Sequence, residues 1–224
     1  MAASVVRWMK SSGMTAVKSE FVTPWGICDL VGLTFNPANV EHRLRLRQTR
    51  AIGSITRALL LLQIPDGQTG KFTTVSSLAR QFAPSLPREV VSEEIARLIA
   101  GRFVVPRSRG RLHRVNGWMP LQDRLVAVEL KLSRIAEAMH QAMSNLAFAE
   151  ESYVGFPAAV ARRVAASASR WSDFFHAGVG VLSVTRRGCN VLLPARERET
   201  PDSTDGVLQF YCVEKFWRTR ARGS

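Results

Sequence analysis

Residues 125–132 read LVAVELKL, and two charged side chains interrupt this otherwise apolar run. Because strand side chains alternate between two faces, Glu129 and Lys131 share one face. A second run, ICDLVGL at 27–33, embeds Asp29 among residues typical of a strand that is buried on both faces. A buried carboxylate costs free energy unless another group compensates it. The two runs therefore predict a sheet that carries acidic side chains in its interior.

Composition indicates a folded protein with a polyanionic partner. The chain has 224 residues, 46% hydrophobic and 22% charged, which excludes disordered, collagen-like and disulfide-scaffold classes. A net charge of +13 favours nucleic acid as the partner. The longest apolar stretch, near residues 58–64, is too short to cross a bilayer, so we expect no membrane partner and a cytoplasmic location. The scattered cysteines predict small core residues rather than a disulfide or zinc framework.

Flanking segments predict an α/β sheet around the two charged strands. Residues 14–23 and 27–35 alternate as strands, and a turn at 24–26 joins them into a hairpin. Ser133 can cap a helix after the second charged strand, in which Gln141 lies beside an apolar stripe. Further periodic segments predict strands at 152–156, 178–184 and 190–193, and helices at 5–10, 158–169 and 207–220.

A segment with a different pattern separates the Asp29 strand from the Glu129 strand. Its periodicity predicts three helices followed by two short strands, at 50–64, 75–82, 87–100, 103–105 and 112–115. This is the order of elements in a winged helix. We therefore expect an inserted winged helix-turn-helix domain at 50–116 and a discontinuous core made of 1–49 and 117–224.

The carboxylates of the two charged strands point to a metal site. Two carboxylates on core strands repel each other and resist ionisation unless a divalent cation lies between them, and oxygen ligands suit magnesium. A simpler interpretation makes Glu129 and Lys131 an ion pair on a half-exposed sheet. Each residue type alone is a weak signal, so their combination carries the prediction.

The combination resembles the PD-(D/E)XK nuclease superfamily. The matching segments are GICDLVGL around Asp29, VAVELKL around Glu129 and Lys131, and AEAMHQA around Gln141. SYVGFP and the later GVGVLSV and NVLLPAR segments resemble the next core strand and a trailing hairpin. The resemblance implies a restriction-endonuclease-like fold, with a mixed central sheet flanked by helices. One departure is that Cys28, rather than a proline, precedes the aspartate.

The resemblance also implies a Mg²⁺-dependent nuclease, with Mn²⁺ as a possible substitute, that hydrolyses phosphodiester bonds in DNA. An endonuclease is favoured. Asp29, Glu129 and the Leu130 carbonyl are the expected metal ligands, while Lys131 orients the attacking water or stabilises developing charge. The other two expected site residues, Gln141 and Glu20, have simpler interpretations as a polar residue at a helix boundary and as an exposed charge.

Arginine clusters are the expected nucleic-acid contacts. They precede the insert (Arg43, Arg45, Arg47), surround its wing (Arg102, Arg107, Arg109, Arg111, Arg114) and end the chain (Arg218, Arg220). The third helix of the insert is a weaker DNA candidate because Glu89, Glu93 and Glu94 would repel phosphates. An insert that serves packing or dimerisation is therefore an alternative.

Other function classes stay open or are disfavoured. The main alternative is a non-catalytic DNA-binding or regulatory protein that retains a nuclease-like scaffold. A third possibility is a nuclease subunit whose winged helix recruits a protein partner, and RNA as substrate and a homodimer also stay open. The sequence has no G-x-x-x-x-G-K loop for nucleotide hydrolysis, and its histidines lack the neighbours of a nucleophilic triad.

Overall fold

The structure, a computed structural model, describes residues 1–115, 119–196 and 206–220, without the side chains of 218–220. The helices are α1 (Ala2–Ser11), α2 (Pro37–Arg45), α3 (Ile55–Gln63), α4 (Val75–Phe82), α5 (Arg88–Ala100), α6 (Ile135–Asn145), α7 (Ala158–Ala166), α8 (Ser172–His176) and α9 (Gly206–Arg220). The strands are β1 (Ala16–Thr23), β2 (Gly26–Phe35), β3 (Thr73–Thr74), β4 (Val104–Pro106), β5 (Arg111–Arg114), β6 (Gln122–Leu130), β7 (Glu151–Pro157), β8 (Val179–Val184) and β9 (Cys189–Leu193). Among the described helices, none is long and apolar enough to span a membrane.

The chain divides into two compact units, and the first contains Met1–Phe35 and Gln122–Pro201. Its six strands form one sheet in the order β1-β2-β6-β7-β8-β9. The central pairs β6–β7 and β7–β8 are parallel, and the outer pairs are antiparallel. Parallel neighbours need a crossover, which α6 provides for the first pair and α7 with α8 for the second. The predicted α/β class with a mixed, helix-flanked sheet is confirmed.

The two faces of this sheet are covered by different helices. Along β6, Val126 and Val128 pack against α1 together with Leu30 and Tyr153. The opposite face packs against α6 and α7 through residues such as Val154 of β7. Glu129 therefore lies on the α6 face, because successive strand residues point to opposite sides. Glu129 therefore lies near the end of β6 and is covered by a helix rather than exposed to solvent.

The second unit contains Asn36–Leu121 and Asp202–Ser224. Helices α3, α4 and α5 pack around a buried apolar cluster, and the small sheet β3-β5-β4 combines one short strand before α4 with two strands after α5. The Ser54 and Thr74 side chains accept hydrogen bonds from backbone N–H groups at the starts of α3 and α4, as expected of N-caps. The predicted order of three helices and a β-hairpin is thus present.

The boundaries of this unit differ from the predicted insert at 50–116. Helix α2 precedes that range and begins at Pro37, with Asn36 as its N-cap, although the sequence predicts only the end of a strand there. Helix α9 follows it and adds Val207 and Phe210 to the apolar cluster of the helices. Residues 36–49 and α9 therefore belong with the second unit rather than with the sheet.

A buried ion pair explains why α2 and α9 pack in the same unit. The side chains of Arg43 on α2 and Glu214 on α9 are 3% and 1% exposed and form a two-point contact. Arg43 Nη2 also donates to the Arg50 carbonyl at 2.8 Å, and Glu214 Oε2 accepts from Ile52 N at 2.8 Å. The guanidinium lies 4.3 Å from the ring centre of Trp217. Because Arg43 Nε donates to the Gln48 carbonyl at 3.1 Å, each guanidinium nitrogen and each carboxylate oxygen of the pair has a hydrogen-bond partner.

We predict that Glu214→Gln lowers the free energy of unfolding by about 3 kcal/mol, because the substitution leaves the Arg43 charge buried without its counter-ion. Urea denaturation of the full chain, followed by tryptophan fluorescence, measures the loss. The control is Glu41→Gln, which breaks the exposed Arg45–Glu41 pair and should cost less than about 1 kcal/mol. Equal losses in the two variants would contradict a structural role for the buried pair.

Candidate functional site

Asp29 lies where the pairing between β2 and β6 stops. Leu30 and Val128 form the last backbone pair of that ladder. One residue further, Asp29 Oδ2 accepts a hydrogen bond from the Leu130 N–H at 2.7 Å. The Asp29 carboxylate thus takes the place of a strand carbonyl as the acceptor for the Leu130 N–H. This hydrogen bond compensates the half-buried charge of Asp29. It also joins Asp29 to the strand that carries Glu129.

The backbone around Asp29 departs from regular alternation. Pairing between β1 and β2 runs through Ser19–Leu30 and resumes at Phe21–Cys28, so Glu20 lies opposite Asp29. Glu20 has a φ of 49°, in the left-handed region that is uncommon for a residue with a side chain. Regular alternation would point Cys28 and Leu30 to the same face, yet Cys28 Sγ accepts from Asn145 of α6 at 3.4 Å. This irregularity turns Cys28 toward Glu129.

Glu129 is buried, 2% exposed, and held by one main partner. Asn145 Nδ2 donates to Glu129 Oε1 at 2.7 Å. Burial raises the pKa of Glu129 above the ordinary value of 4.5, and the neighbouring Asp29 charge raises it further. The Asn145 hydrogen bond and the Lys131 charge act in the opposite direction. The site is therefore one in which an additional positive charge favours the ionised carboxylate.

Lys131 follows β6 and is held on two sides. Its backbone N–H donates to the Gly155 carbonyl of β7 at 3.2 Å. Its Nζ lies 3.5 Å from Glu137 Oε1 in the first turn of α6, and Arg134 contacts the other oxygen of Glu137 at 3.2 Å. The lysine thus pairs with Glu137, while its charge also acts on Glu129. Among the described residues the ion pair of Lys131 is with Glu137 rather than with Glu129, so the simpler interpretation of a Glu129–Lys131 ion pair is wrong.

Gln141 and Glu129 line one pocket of about 210 Å³. The Oε1 atom of Gln141 is buried and has no hydrogen-bond partner among the described residues. Asn145 lies one helical turn after Gln141 and lines the same pocket. The structure therefore brings together Asp29, Glu129, Lys131 and Gln141. Glu20 is exposed on the edge strand, opposite Asp29 in register, as the alternative interpretation also allows.

The donor set is small for a metal ion. In the described ranges, no group of three His, Cys, Asp or Glu side chains is placed to hold one. Mg²⁺ commonly binds through one or two carboxylates and keeps several waters. Asp29, Glu129 and the Leu130 carbonyl therefore fit a partly hydrated Mg²⁺ better than they fit an ion whose ligands all come from the protein. The raised pKa of buried Glu129 agrees with a place for a cation.

Sequence reasoning missed several residues of the pocket. Asn145, His140 and Ser144 come from α6, and Trp25 lies in the two-residue turn between β1 and β2. The four-residue spacing from Gln141 could have indicated Asn145, because residues four apart share a helix face. No local sequence signal relates Trp25 to α6, because the two come to line one pocket only through the pairing of strands in the sheet.

The predicted nucleic-acid contacts fall into three groups in the second unit. Arg43 is buried against Glu214, which corrects its assignment as a surface contact. Arg111 stacks on Phe72 at 4.2 Å, and Arg114 is half-buried with an unpartnered Nε among the described atoms. The exposed members are Arg45, Arg47, Arg102, Arg107 and Arg109, with Arg45 paired to Glu41. The side chains of Arg218 and Arg220 lie outside the described part of the chain.

The acidic residues of α5 differ in their surroundings. Glu94 is 7% exposed and contacts both Arg57 and Arg97. Its arginine partners lower the pKa of Glu94, against the effect of burial. Glu94 is therefore neutralised inside the unit and adds little repulsion at the surface. Glu89 and Glu93 are exposed, and Glu93 pairs with Arg97 at 3.3 Å.

Comparisons with known proteins give little beyond the geometry. No family model matches the sequence, and no curated protein matches it. Among solved structures, the chain is similar to a protein of unknown function from Silicibacter pomeroyi. The two are 12% identical, with a TM-score of 0.41, and the match covers 100% of this chain and 88% of the other.

We predict that, without divalent ions, Glu129→Gln raises the free energy of unfolding at pH 7. The folded state binds the Glu129 proton more tightly than the unfolded state, so wild-type stability falls as the pH rises through the raised pKa. The gain in free energy of unfolding of the variant should vanish below pH 4.5, the ordinary pKa of a glutamate, because Glu129 is then protonated in both the folded and the unfolded wild-type protein. Urea denaturation across pH in a chelator measures it.

The matched control is Glu151→Gln, since Glu151 is also buried, 7% exposed, but is paired with Arg124. Loss of that partner should lower the free energy of unfolding at pH 7, the opposite sign. A Glu129→Gln variant that is destabilised to the same extent as Glu151→Gln would contradict the electrostatic description of the site.

Proposed function

We propose that this protein is a divalent-metal-dependent nuclease that hydrolyses phosphodiester bonds in DNA, with a restriction-endonuclease-like core. One observation carries the proposal: the Asp29 carboxylate is hydrogen-bonded to the Leu130 N–H, beside Glu129 and Lys131. Two acidic groups and a lysine thus meet at the end of two neighbouring strands. That combination suits the hydrolysis of a charged ester.

The residues of the chain have separate roles in this proposal. Asp29, Glu129 and the Leu130 carbonyl would hold Mg²⁺, for which Mn²⁺ could substitute. When bound, the ion supplies Lewis-acid activation of the phosphate and a lower pKa for an attacking water. Lys131 stabilises negative charge that develops on the phosphate oxygens. Gln141 has an acceptor atom that is unpaired within the described part of the chain and can orient a water or the substrate.

Asn145 and Glu137 hold two of these groups in place. Asn145 Nδ2 donates to Oε1 of Glu129 and so holds this carboxylate in place. Glu137, at the start of α6, pairs with both Lys131 and Arg134. When Lys131 turns to a phosphate, Glu137 keeps Arg134 as its partner. Both are positioning residues on the same helix.

The second unit supplies the proposed DNA contacts. Its three helices and small sheet support a winged helix, in which β4 and β5 form the wing. Arg107 and Arg109 lie exposed in the turn that joins these two strands, and the net charge of +13 favours a phosphate backbone. We place the activity in the cytoplasm, where reducing conditions suit the free cysteines.

The second candidate function is a non-catalytic DNA-binding protein on the same scaffold. The observation that favours it is that Glu129 and Lys131 both have protein partners, Asn145 and Glu137. Such pairs can hold a site without any cation. In that case DNA affinity persists while divalent ions have no specific place to bind.

We predict that the wild-type protein nicks or cuts supercoiled plasmid DNA with Mg²⁺ or Mn²⁺, and that a chelator abolishes the cleavage. Lys131→Ala should lower the cleavage rate at least 100-fold, because one charged group in the site stabilises the transition state by several kcal/mol. The matched control is Lys10→Ala, since Lys10 is an exposed lysine on α1. Retained DNA binding without any cleavage would support the second candidate instead.

We also predict that replacing Arg107 and Arg109 together with alanine weakens binding to every DNA sequence. The slope of log K against log salt concentration should become shallower by about the amount expected for the loss of two phosphate contacts. The control is Arg163→Ala, because Arg163 is an exposed arginine on α7 that is not among the expected contacts. Fluorescence anisotropy at several salt concentrations measures both quantities, and an unchanged salt slope would rule out the wing as a phosphate contact.

A further inference from the structure

We propose that the pocket beside Glu129 holds an unpaired base of the DNA strand, stacked on Trp25. This inference rests on the proposed nuclease function and names its substrate class. The pocket has a volume of about 210 Å³ and is formed by the β1–β2 turn on one side and by α6 on the other. Its occupant therefore lies next to the candidate metal ligands.

Trp25 has the surroundings of a stacking platform. It is 43% exposed, although it lies in a tight turn that Thr23 closes by donating to the Gly26 carbonyl at 2.9 Å. Phe148 supports the indole, with ring centres 6.0 Å apart, and Phe148 in turn stacks on Phe21 at 6.1 Å. The ring contacts of Phe148 with Trp25 and with Phe21 hold the Trp25 indole in place. A free aromatic surface, rigidly held, is what a base needs for stacking.

The opposite wall of the pocket offers a polar edge. Among its polar side chains, Asn145 is engaged with Glu129 and Ser144 donates to the His140 carbonyl. Gln141 Oε1 is buried and unpaired among the described residues. A buried acceptor without a donor costs free energy. The ring N–H or exocyclic amino group of a base supplies such a donor.

The size of the pocket limits its occupant. Drug-sized ligands occupy roughly 300 Å³ or more, so about 210 Å³ suits one ring system rather than a whole nucleotide. The sugar and phosphate would then stay outside, on the side of the acidic groups. This matches the way in which enzymes hold a base that has left the stack.

A base inside a duplex is unavailable to such a pocket, because its faces and its pairing edge are occupied. The inference therefore predicts a substrate with unpaired bases: single strands, or duplexes with a bulge or a frayed end. Exposed Ile27 extends the apolar side of the pocket and favours the same kind of partner.

Binding is measured first, in Ca²⁺ or in a chelator so that no DNA is consumed. The probes are fluorescein-labelled DNA of one sequence as a single strand, a perfect duplex and a duplex with one bulged base. Trp25→Ala should weaken binding of the single strand and the bulged duplex about 5- to 100-fold, the value of one stacked base, and leave the perfect duplex unchanged. Trp25→Phe should restore most of the affinity.

Val22→Ala is the control, because Val22 is 58% exposed on the same hairpin but does not line the pocket. Equal effects of Trp25→Ala on all three probes, or no effect on any, would overturn the inference. Thermal unfolding of each variant separates a folding defect from a binding defect, and Trp25→Phe keeps the ring if the alanine variant unfolds.

Cleavage of the same probes with Mg²⁺ distinguishes the two proposals. Cleavage of all three probes at equal rates, unaffected by Trp25→Ala, overturns the base pocket and leaves the nuclease. Trp25-dependent binding without any metal-dependent cleavage overturns the nuclease and leaves a base-binding site. Faster cleavage of the unpaired probes, lost with Trp25, is the expected result.

Discussion

The hydrogen bond from the Leu130 N–H to the Asp29 carboxylate is the constraint on which the site depends. It stops the ladder between β2 and β6 at a defined residue, and it holds a carboxylate in the plane of the sheet. Glu129 then lies beside that charge, at the end of the same strand. An aspartate that pointed to solvent from a regular strand would leave Glu129 alone under α6.

The cost of this arrangement appears in the electrostatics and in the backbone. Burial and the Asp29 charge raise the pKa of Glu129, and hydrogen bonds from Asn145 and Cys28 together with the Lys131 charge oppose this shift. Glu20 adopts a left-handed conformation opposite Asp29. Local strain and unfavourable burial of charge concentrate at functional sites, where the fold elsewhere supplies the stability. Here the apolar clusters on both faces of the sheet supply it.

Local patterns predicted much of the fold but little of the long-range pairing. The alternation in LVAVELKL gave the strand and the shared face of Glu129 and Lys131, and Thr74 caps its helix as expected. The sequence predicts Arg43 as a surface contact because its counter-ion Glu214 lies far along the chain. Helix α9 was assigned to the wrong unit for the same reason. Asn145 and Trp25 belong to the site through contacts across elements, which periodicity does not encode.

The central claim is that Asp29 and Glu129 share a divalent cation. The most direct test is an anomalous difference map from a crystal of the protein soaked with Mn²⁺, collected above and below the manganese absorption edge. A peak within about 2.0–2.3 Å of oxygens from both Asp29 and Glu129 is the predicted result. No peak at full Mn²⁺ exposure, with Glu129 still bonded to Asn145 and Lys131 still paired with Glu137, would contradict the claim.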